Sequence, residues 1–257
     1  MFRPRIIPVL LLKNKGLVKT IKFNKKKARY IGDPINAVRI YNDLEADELV
    51  FLDILASKNK KVIDLNLIKR ISDEAFMPFG VGGGITKLEE VDGLLNNGAE
   101  KVIINTTAYK NPKLIESIAN KYGSQSLAVC IDLKKGFFGK EKIMILGGEK
   151  KVSINLLEYI KIIEESGAGE IIIQSIDNDG LMSGYNLELI KKTSKATKLP
   201  VVALGGAGSV DDLITAYKEA SPSALSAGSM FVFHGPRKGI LINYPDRESI
   251  KNKIEWI

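Results

Sequence analysis

The 257-residue sequence has one cysteine, Cys130, and one histidine, His234. A single thiol rules out an intrachain disulfide and a cysteine-rich zinc site, and nothing else in the chain calls for a metal or a cofactor. Cys130 sits in the apolar run SLAVCID, where a thiol is expected to be a buried packing group rather than a nucleophile. His234 stands in FVFHGP, beyond the last strand pattern, and is expected to be structural. No apolar run approaches the roughly 20 residues needed to cross a bilayer. The apolar stretch within Met1 to Leu12 is followed by no small-residue cleavage site, so a cytoplasmic protein is expected, with no membrane contact. Acidic residues are the minority, 30 Asp and Glu against 38 Lys and Arg, for a net charge of +8. Such an excess invites a nucleic-acid partner. Here the lysines are scattered, as in Lys25–Lys27, Lys58–Lys61 and Lys150–Lys151, and are not interleaved with the aromatic rings on which bases stack. The charge reads as a solvated surface that also attracts phosphorylated small molecules, and no nucleic acid is expected.

What is present is an alternation of β-branched apolar runs with helical stretches. IIPVLLL, ELVFLDI, PFGVGG, KVIINT, LAVCID, EIIIQSI, PVVALGG and ALSAGSM are strand patterns. Most are near-continuous apolar runs, as in parallel strands buried on both faces. The helical stretches carry start signals. Asp33-Pro34 is an N-cap followed by proline, Asn111-Pro112 repeats the device, and Thr86 to Glu89 has the capping-box spacing. Eight strand-then-helix units predict a (β/α)8 TIM barrel. The two halves repeat: PFGVGGG at Pro78 recurs 122 residues later as PVVALGG at Pro200, and Glu48-Leu49-Val50 recurs as Glu170-Ile171-Ile172. One barrel over 1–257 is therefore expected, in half-barrels of roughly 1–123 and 124–257. The same repeat sets Leu11 against Asp132 at a strand end. Two connections exceed the roughly 2–6 residues of an ordinary barrel loop. Lys13 to Gly32 is a candidate lid, and Lys134 to Lys151, with Phe137, Phe138 and Gly147-Gly148, is expected to hold a small hairpin.

Gly83-Gly84 and Gly205-Gly206 each end a strand and precede a helix. A glycine pair there serves either as a tight turn or as an anion cradle, because it lets backbone N–H groups approach a phosphate. Two equivalent pairs favour two phosphate sites. Asn105-Thr106 and Gly228-Ser229 end the next strand of each half and can complete them, and Asp179-Gly180 adds another backbone donor. Together they imply an elongated bis-phosphate ligand. Asp132 is the best general acid–base candidate, worth about 10²–10⁴-fold in rate, its alternative role being to anchor a loop. Asp53 and Asp177 also end strands and are expected to hold Lys19 or loop backbone. At the opposite strand ends stand Arg5, Glu48, Lys101 and Glu170, two of each sign. They either close the barrel bottom as surface residues or form a ring that plugs the axis.

These segments resemble one family, the cyclase subunit of imidazole glycerol phosphate synthase (HisF). The likeness runs from RIIPVL through GDP at Gly32–Pro34, DELVFLDI, VGGGI, GAEKVIINT, GSQ at Gly123–Gln125, GAGEIII, SIDNDGLMSGY and GGAG to about Phe233. The resemblance implies a duplicated half-barrel fold, a substrate with two phosphates, and a glutaminase (HisH-like) partner on the N-terminal face of the barrel. Ammonia made there would pass through the barrel to the mouth. Arg5, Glu48, Lys101 and Glu170 match the family's gate to that channel, and Lys19 matches a lid lysine important to the reaction.

The sequence departs from the family pattern at the mouth. The family uses two aspartates as general acid and base; Asp132 matches one and Leu11 occupies the place of the other. Leu55 and Leu204 stand where small hydroxyl residues are expected, and Gln174 where threonine is expected. A leucine neither takes nor gives a proton, so the usual cyclase reaction should be badly slowed. The pattern is similar to second-copy HisF-like subunits of surface-polysaccharide or flagellin-glycan gene clusters. That resemblance implies ammonia supply to a sugar amidotransferase making acetamidino groups. Two alternatives stand beside it: an ordinary cyclase subunit in histidine synthesis, and a non-catalytic scaffold that activates the glutaminase.

Overall fold

The computed structural model describes residues 4–136, 140–246, 250 and 253. Its eight parallel strands are β1 (Arg5–Lys13), β2 (Leu49–Asp53), β3 (Phe79–Gly82), β4 (Lys101–Ile104), β5 (Leu127–Lys135), β6 (Glu170–Ser175), β7 (Val201–Leu204) and β8 (Ala224–Ala227). Each pairs in parallel with the next, and β8 returns to β1 through Arg5 opposite Ala224, so the sheet closes. Between the strands lie α1 (Pro34–Asp43), α2 (Leu65–Ser72), α3 (Leu88–Asn96), α4 (Lys113–Tyr122), α5 (Leu156–Glu165), α6 (Leu187–Ala196) and α7 (Val210–Ala220). The architecture is the (β/α)8 barrel expected from the alternating pattern. Among the described residues no helix is long and apolar enough to cross a membrane.

Strand alternation sorts the apolar residues into two layers. Leu10, Phe51, Val81, Ile104, Ile131 and Ile173 point outward and are buried under the helices. Ile7, Val9, Val50, Ile103, Cys130 and Ile172 point inward and fill the barrel. This double burial explains why the strand runs read as continuously apolar. On β3 the inward positions are glycine. A Cβ at Gly82 would lie 2.8 Å from both the Ile103 carbonyl and Leu52 Cδ2, so neighbouring side chains already occupy that space. Cys130 is buried, as its apolar run predicts.

The start signals have mixed outcomes. Asp33 caps α1, accepting from Ile35 N at 2.9 Å and Asn36 N at 3.1 Å, a bond worth about 1 kcal/mol. Before α3 the returning carboxylate is Glu90, not Glu89: it accepts from Thr86 N, Thr86 Oγ1 and Lys87 N. The helix begins one residue later than the sequence spacing suggests. Asn111 makes no side-chain cap; its carbonyl accepts from Leu114 N at 3.0 Å, within a turn whose next residue is Pro112.

The two long connections are largely sheet. After β1 the chain reverses at Asn14-Lys15, both with positive φ (52° and 69°), returns antiparallel through Gly16–Lys19, and pairs again at Arg29–Gly32. Positive φ at both central residues suits the right-handed twist of a tight hairpin. The candidate lid is thus a β-strap, with a less regular tip at residues 20–28 around the single turn Lys25–Lys27. After β5, the strand Glu141–Ile145 pairs back antiparallel and is followed by Lys150–Lys151, so the expected hairpin is present. Phe137 and Phe138 lie outside the described residues.

Candidate active site

Four charged side chains close the N-terminal end of the barrel. Arg5 donates through one guanidinium nitrogen to Glu48 and through the other to Glu170. Lys101 Nζ completes the circuit, 3.2 Å from Glu48 Oε1 and 2.8 Å from Glu170 Oε2. Both glutamates are 5% exposed. Every carboxylate therefore meets two cations, the condition under which a buried charge is tolerated. The arrangement is a closed ring across the axis, the second of the two expectations for these residues.

Above the ring the interior is apolar. A narrow cavity of about 10 Å3 begins at Glu48, Lys101 and Glu170 and ends at Leu52, Ile103 and Cys130. That room suits about one water-sized molecule. Its wall, which includes Ile7, Val9, Val50 and Ile172, offers almost no polar surface, so a neutral guest is favoured over an ion. Leu52, Ile103 and Cys130 also line a much larger cavity of about 700 Å3 at the C-terminal ends of the strands. The two spaces meet at these three residues.

Asp132 and Leu11 both line the mouth cavity. Asp132 is 6% exposed. Asn105 Nδ2 donates to its Oδ2 at 3.2 Å, and the Cys130 thiol lies 3.4 Å from its Oδ1. Burial pushes the Asp132 carboxyl up to about 7; the thiol contact and Lys25 oppose the shift, and the Asp179 carboxylate reinforces it. A carboxyl poised near neutrality is suited to giving and taking protons. The same burial drives the Cys130 thiol well up, with Asp132 adding to the effect, so that sulfur is no nucleophile.

Lys19 does not extend into the mouth from a mobile lid. It is 5% exposed at the end of the returning strand, and its Nζ donates to the Val9 carbonyl. Gly228 makes room for it: a Cβ there would lie 2.5 Å from Nζ. Burial lowers the Lys19 ammonium to about 8, partly offset by Asp179. Asp179 is in turn raised to about 6 by burial, with Lys19 opposing.

The sequence-predicted anion residues divide into two groups. Gly83, Gly84, Asn105 and Thr106 all line the mouth cavity, together with the cations Lys25, Lys58 and Lys110. Asp179, Gly180, Gly205, Gly206, Gly228 and Ser229 lie on the other side and do not line it. There the strap is seated on Asp179, Gly180 and Gly228. Lys22 N donates to the Asp179 carbonyl at 3.0 Å, and a Cβ on Gly180 would come within 2.3 Å of the Thr20 carbonyl. Gly206 packs against the next turn, accepting from Gly184 N at 3.0 Å.

Asp53 and Asp177 hold loop backbone. Asp53 Oδ1 accepts from Leu55 N and Ala56 N, and Asp177 Oδ2 from Lys135 N at 2.6 Å. His234 is exposed in a two-residue antiparallel pair with Gly239, away from the mouth cavity. Two of the mouth substitutions sit elsewhere than expected. Leu204 lines the narrow interior cavity, and Leu55 starts the short helix Ala56–Asn59 without lining the mouth. Sequence reasoning missed the apolar wall made by Ile54, Ile85 and Leu146. It also missed the contact of Gln174 Nε2 with Asp179 Oδ1 at 3.4 Å. Alternation along β6 from inward Glu170 and Ile172 was the available signal for an inward Gln174. Among the described residues no cluster of three or more His, Cys, Asp or Glu could hold a metal ion.

Comparison with known proteins shows the family. The family model described as "Histidine biosynthesis protein" matches residues 5–236. A Leptospira borgpetersenii protein named "Putative imidazole glycerol phosphate synthase subunit HisF" is 48% identical over 97% of this chain and 99% of its own length. The Pseudomonas aeruginosa protein named "Putative imidazole glycerol phosphate synthase subunit hisF2" is 46% identical over 96% of this chain and 97% of its own. The Vibrio vulnificus protein named "Putative imidazole glycerol phosphate synthase subunit hisF3" is 45% identical, covering 99% of this chain and 98% of its own. The chain belongs to the histidine biosynthesis protein family, and within it to the HisF subunits of imidazole glycerol phosphate synthase, a group that includes second-copy paralogues.

Proposed function

We propose that the protein is the synthase-side subunit of a glutamine amidotransferase, and that it carries ammonia rather than running the usual cyclisation. A glutaminase subunit docks on the N-terminal face. Ammonia enters at the ring of Arg5, Glu48, Lys101 and Glu170, crosses the apolar interior as a neutral molecule, and emerges beside Asp132. Its destination is the amidination of a surface-polysaccharide or flagellin sugar, by way of a sugar amidotransferase. The chain acts in the cytoplasm as one barrel of two half-barrels, divided near residue 123.

The observation that carries this reading is a contrast. The ring is closed and a narrow apolar space lies above it, while the mouth cavity is lined by Asp132 and by an aliphatic Leu11. The phosphate-site roles follow the same division. Gly83, Gly84, Asn105 and Thr106 hold the phosphate of a ligand in the open cavity. Asp179, Gly180, Gly205, Gly206, Gly228 and Ser229 hold a second phosphate only when the strap lifts.

The test is turnover with ammonium as the nitrogen source. Purified protein, ammonium salt and the bis-phosphate precursor of imidazole glycerol phosphate should give little product. Production at an ordinary enzymatic rate sinks the proposal in favour of a working cyclase. That second reading is supported by Asp132, whose near-neutral carboxyl faces the cavity as a general acid–base group should.

A further inference from the structure

We infer that the mouth cavity takes a small phosphomonoester with an apolar body, its anionic end at a lysine rim and the rest lying on Leu11, Leu52 and Ile103. Neighbouring strands bring these three side chains to one level. Leu11 pairs with Leu52, Leu52 with Gly82, and Gly82 with Ile103. The glycine leaves no gap, because a Cβ built on it would lie 2.8 Å from Leu52 Cδ2 and 3.1 Å from Ile103 Cβ. An aliphatic surface therefore runs unbroken from β1 to β4. Leu11 and Leu52 are only half-buried: they pack against the barrel interior and turn their remaining surface to the cavity.

The polar groups on this side are largely spent within the protein. Thr106 Oγ1 accepts from Leu146 N at 2.9 Å, and Thr107 Oγ1 donates to the Ile85 carbonyl at 2.6 Å. Asp53 Oδ1 and Glu90 Oε2 each accept from backbone N–H groups. A ligand body crowded with hydroxyl groups would give up water here and gain few bonds in return. The charges still free lie on one rim. Lys58, Lys60 and Lys110 are exposed, line the cavity and form no ion pair among the described residues. Lys25, by contrast, is held by Glu149 at 3.2 Å.

A second anion has no such place while the strap is seated. Gly180 and Gly228 lie beneath it. Cβ atoms there would come within 2.3 Å of the Thr20 carbonyl and 2.5 Å of Lys19 Nζ, and neither glycine lines the cavity. The far end of an elongated bis-phosphate would have to rest on Leu11 and Leu52, where it is desolvated against aliphatic carbon. A volume of about 700 Å3 is that of an ordinary small-molecule site, so a body of several carbons fits. The hydroxyl-rich acceptor sugar is the wrong chemistry for this wall, in keeping with its reaction on a separate amidotransferase. The inference rests on the reading that the open cavity holds a phosphate, and adds what that phosphate is attached to.

The experiment is isothermal titration calorimetry of the full-length chain with ethyl, butyl and hexyl phosphate, with hexanol, and with the bis-phosphate of hexanediol. Affinity should rise about two- to fourfold for each methylene added between ethyl and hexyl, as the chain covers the wall. Hexanol and the bis-phosphate should each bind at least about tenfold more weakly than hexyl phosphate, the first lacking the anion and the second carrying one too many. Leu52→Asn, which puts an amide of similar size in the wall, should flatten the series. If that variant fails to fold, the series on the unaltered protein still decides the question. Three results overturn the proposal: affinity independent of chain length, hexanol or the bis-phosphate bound as tightly as hexyl phosphate, or an undiminished slope in Leu52→Asn. If none of the esters binds, the phosphate reading falls and the inference with it; esters that bind without regard to chain length remove the inference alone. Ammonia delivery plays no part in these titrations, and its failure would show in turnover.

Discussion

Leu11 and Asp132 hold matching places in the two halves of the barrel. Leu11 pairs with Leu52 on β2 as Asp132 pairs with Gln174 on β6, and all four side chains line the mouth cavity. One half therefore presents two leucines where the other presents a carboxyl and an amide. The Leu11→Asp variant tests what that difference does. A carboxylate there would be partly buried, near the second proton position of the resembled cyclase. It should raise imidazole glycerol phosphate formation from ammonium by about 10²-fold or more over the unaltered protein, measured by initial rates. An unchanged rate would locate the deficit elsewhere.

The ring at the barrel bottom predicts a stability effect. In Lys101→Met, Glu48 and Glu170 keep only Arg5 as a partner. Removing one member of a buried ionic set costs about 3 kcal/mol, because the charges left behind are uncompensated. Urea unfolding should show a lower midpoint with an unchanged slope. Replacing both glutamates and Lys101 with apolar residues of similar size should recover much of the loss. Glutamine-dependent turnover should not recover with it.

The eight strands were legible in the sequence because both faces of a parallel barrel strand are buried, which leaves near-continuous runs such as LAVCID. The ring was legible because Glu48 and Glu170 recur with the half-barrel offset at strand starts. The strap was not, since Gly16–Lys19 and Arg29–Gly32 are short and separated by the lysine-rich tip, and only the turn at Asn14-Lys15 betrays a hairpin. Glu89 and Glu90 are the same chemistry one helical step apart, and only backbone phase chooses between them. Leu55 was misplaced because it follows Asp53, whose carboxylate turns the chain away from the mouth by accepting from the two N–H groups of Leu55 and Ala56.

Asp132 makes stability pH-dependent. Its carboxyl is near 3.8 when unperturbed and about 7 in the fold. The native state therefore binds more protons than the unfolded chain between those limits, and stability falls as pH rises through that window. Below the lower limit both states are protonated and the contribution is complete. Asp132→Asn removes the dependence. Relative to the unaltered protein the variant should gain stability between pH 4 and pH 8, read as converging or crossing midpoints in unfolding curves. Parallel curves across that range would mean that the Asp132 carboxyl is not held protonated.

The seating of the strap is the most local of these relationships. Gly180 has a φ of +74°, and the Thr20 carbonyl would lie 2.3 Å from any Cβ added there. Alanine at this position is strained in its backbone and displaces Thr20 and Ile21 together. The hydrogen bond from Lys22 N to the Asp179 carbonyl would be lost with them. The tip then loses this anchor, while Gly16–Lys19 remains paired with β1 and Arg29–Gly32 with Gly16–Lys19. Gly180→Ala should therefore speed tryptic cleavage after Lys22 and Lys25–Lys27 several-fold, with the barrel left intact by circular dichroism. Because Lys19 lies at the root of the tip, its ammonium should also gain solvent and titrate above the value of about 8 that burial now imposes. Cleavage at the unaltered rate would show that the tip is held by contacts other than the Asp179–Gly180 turn.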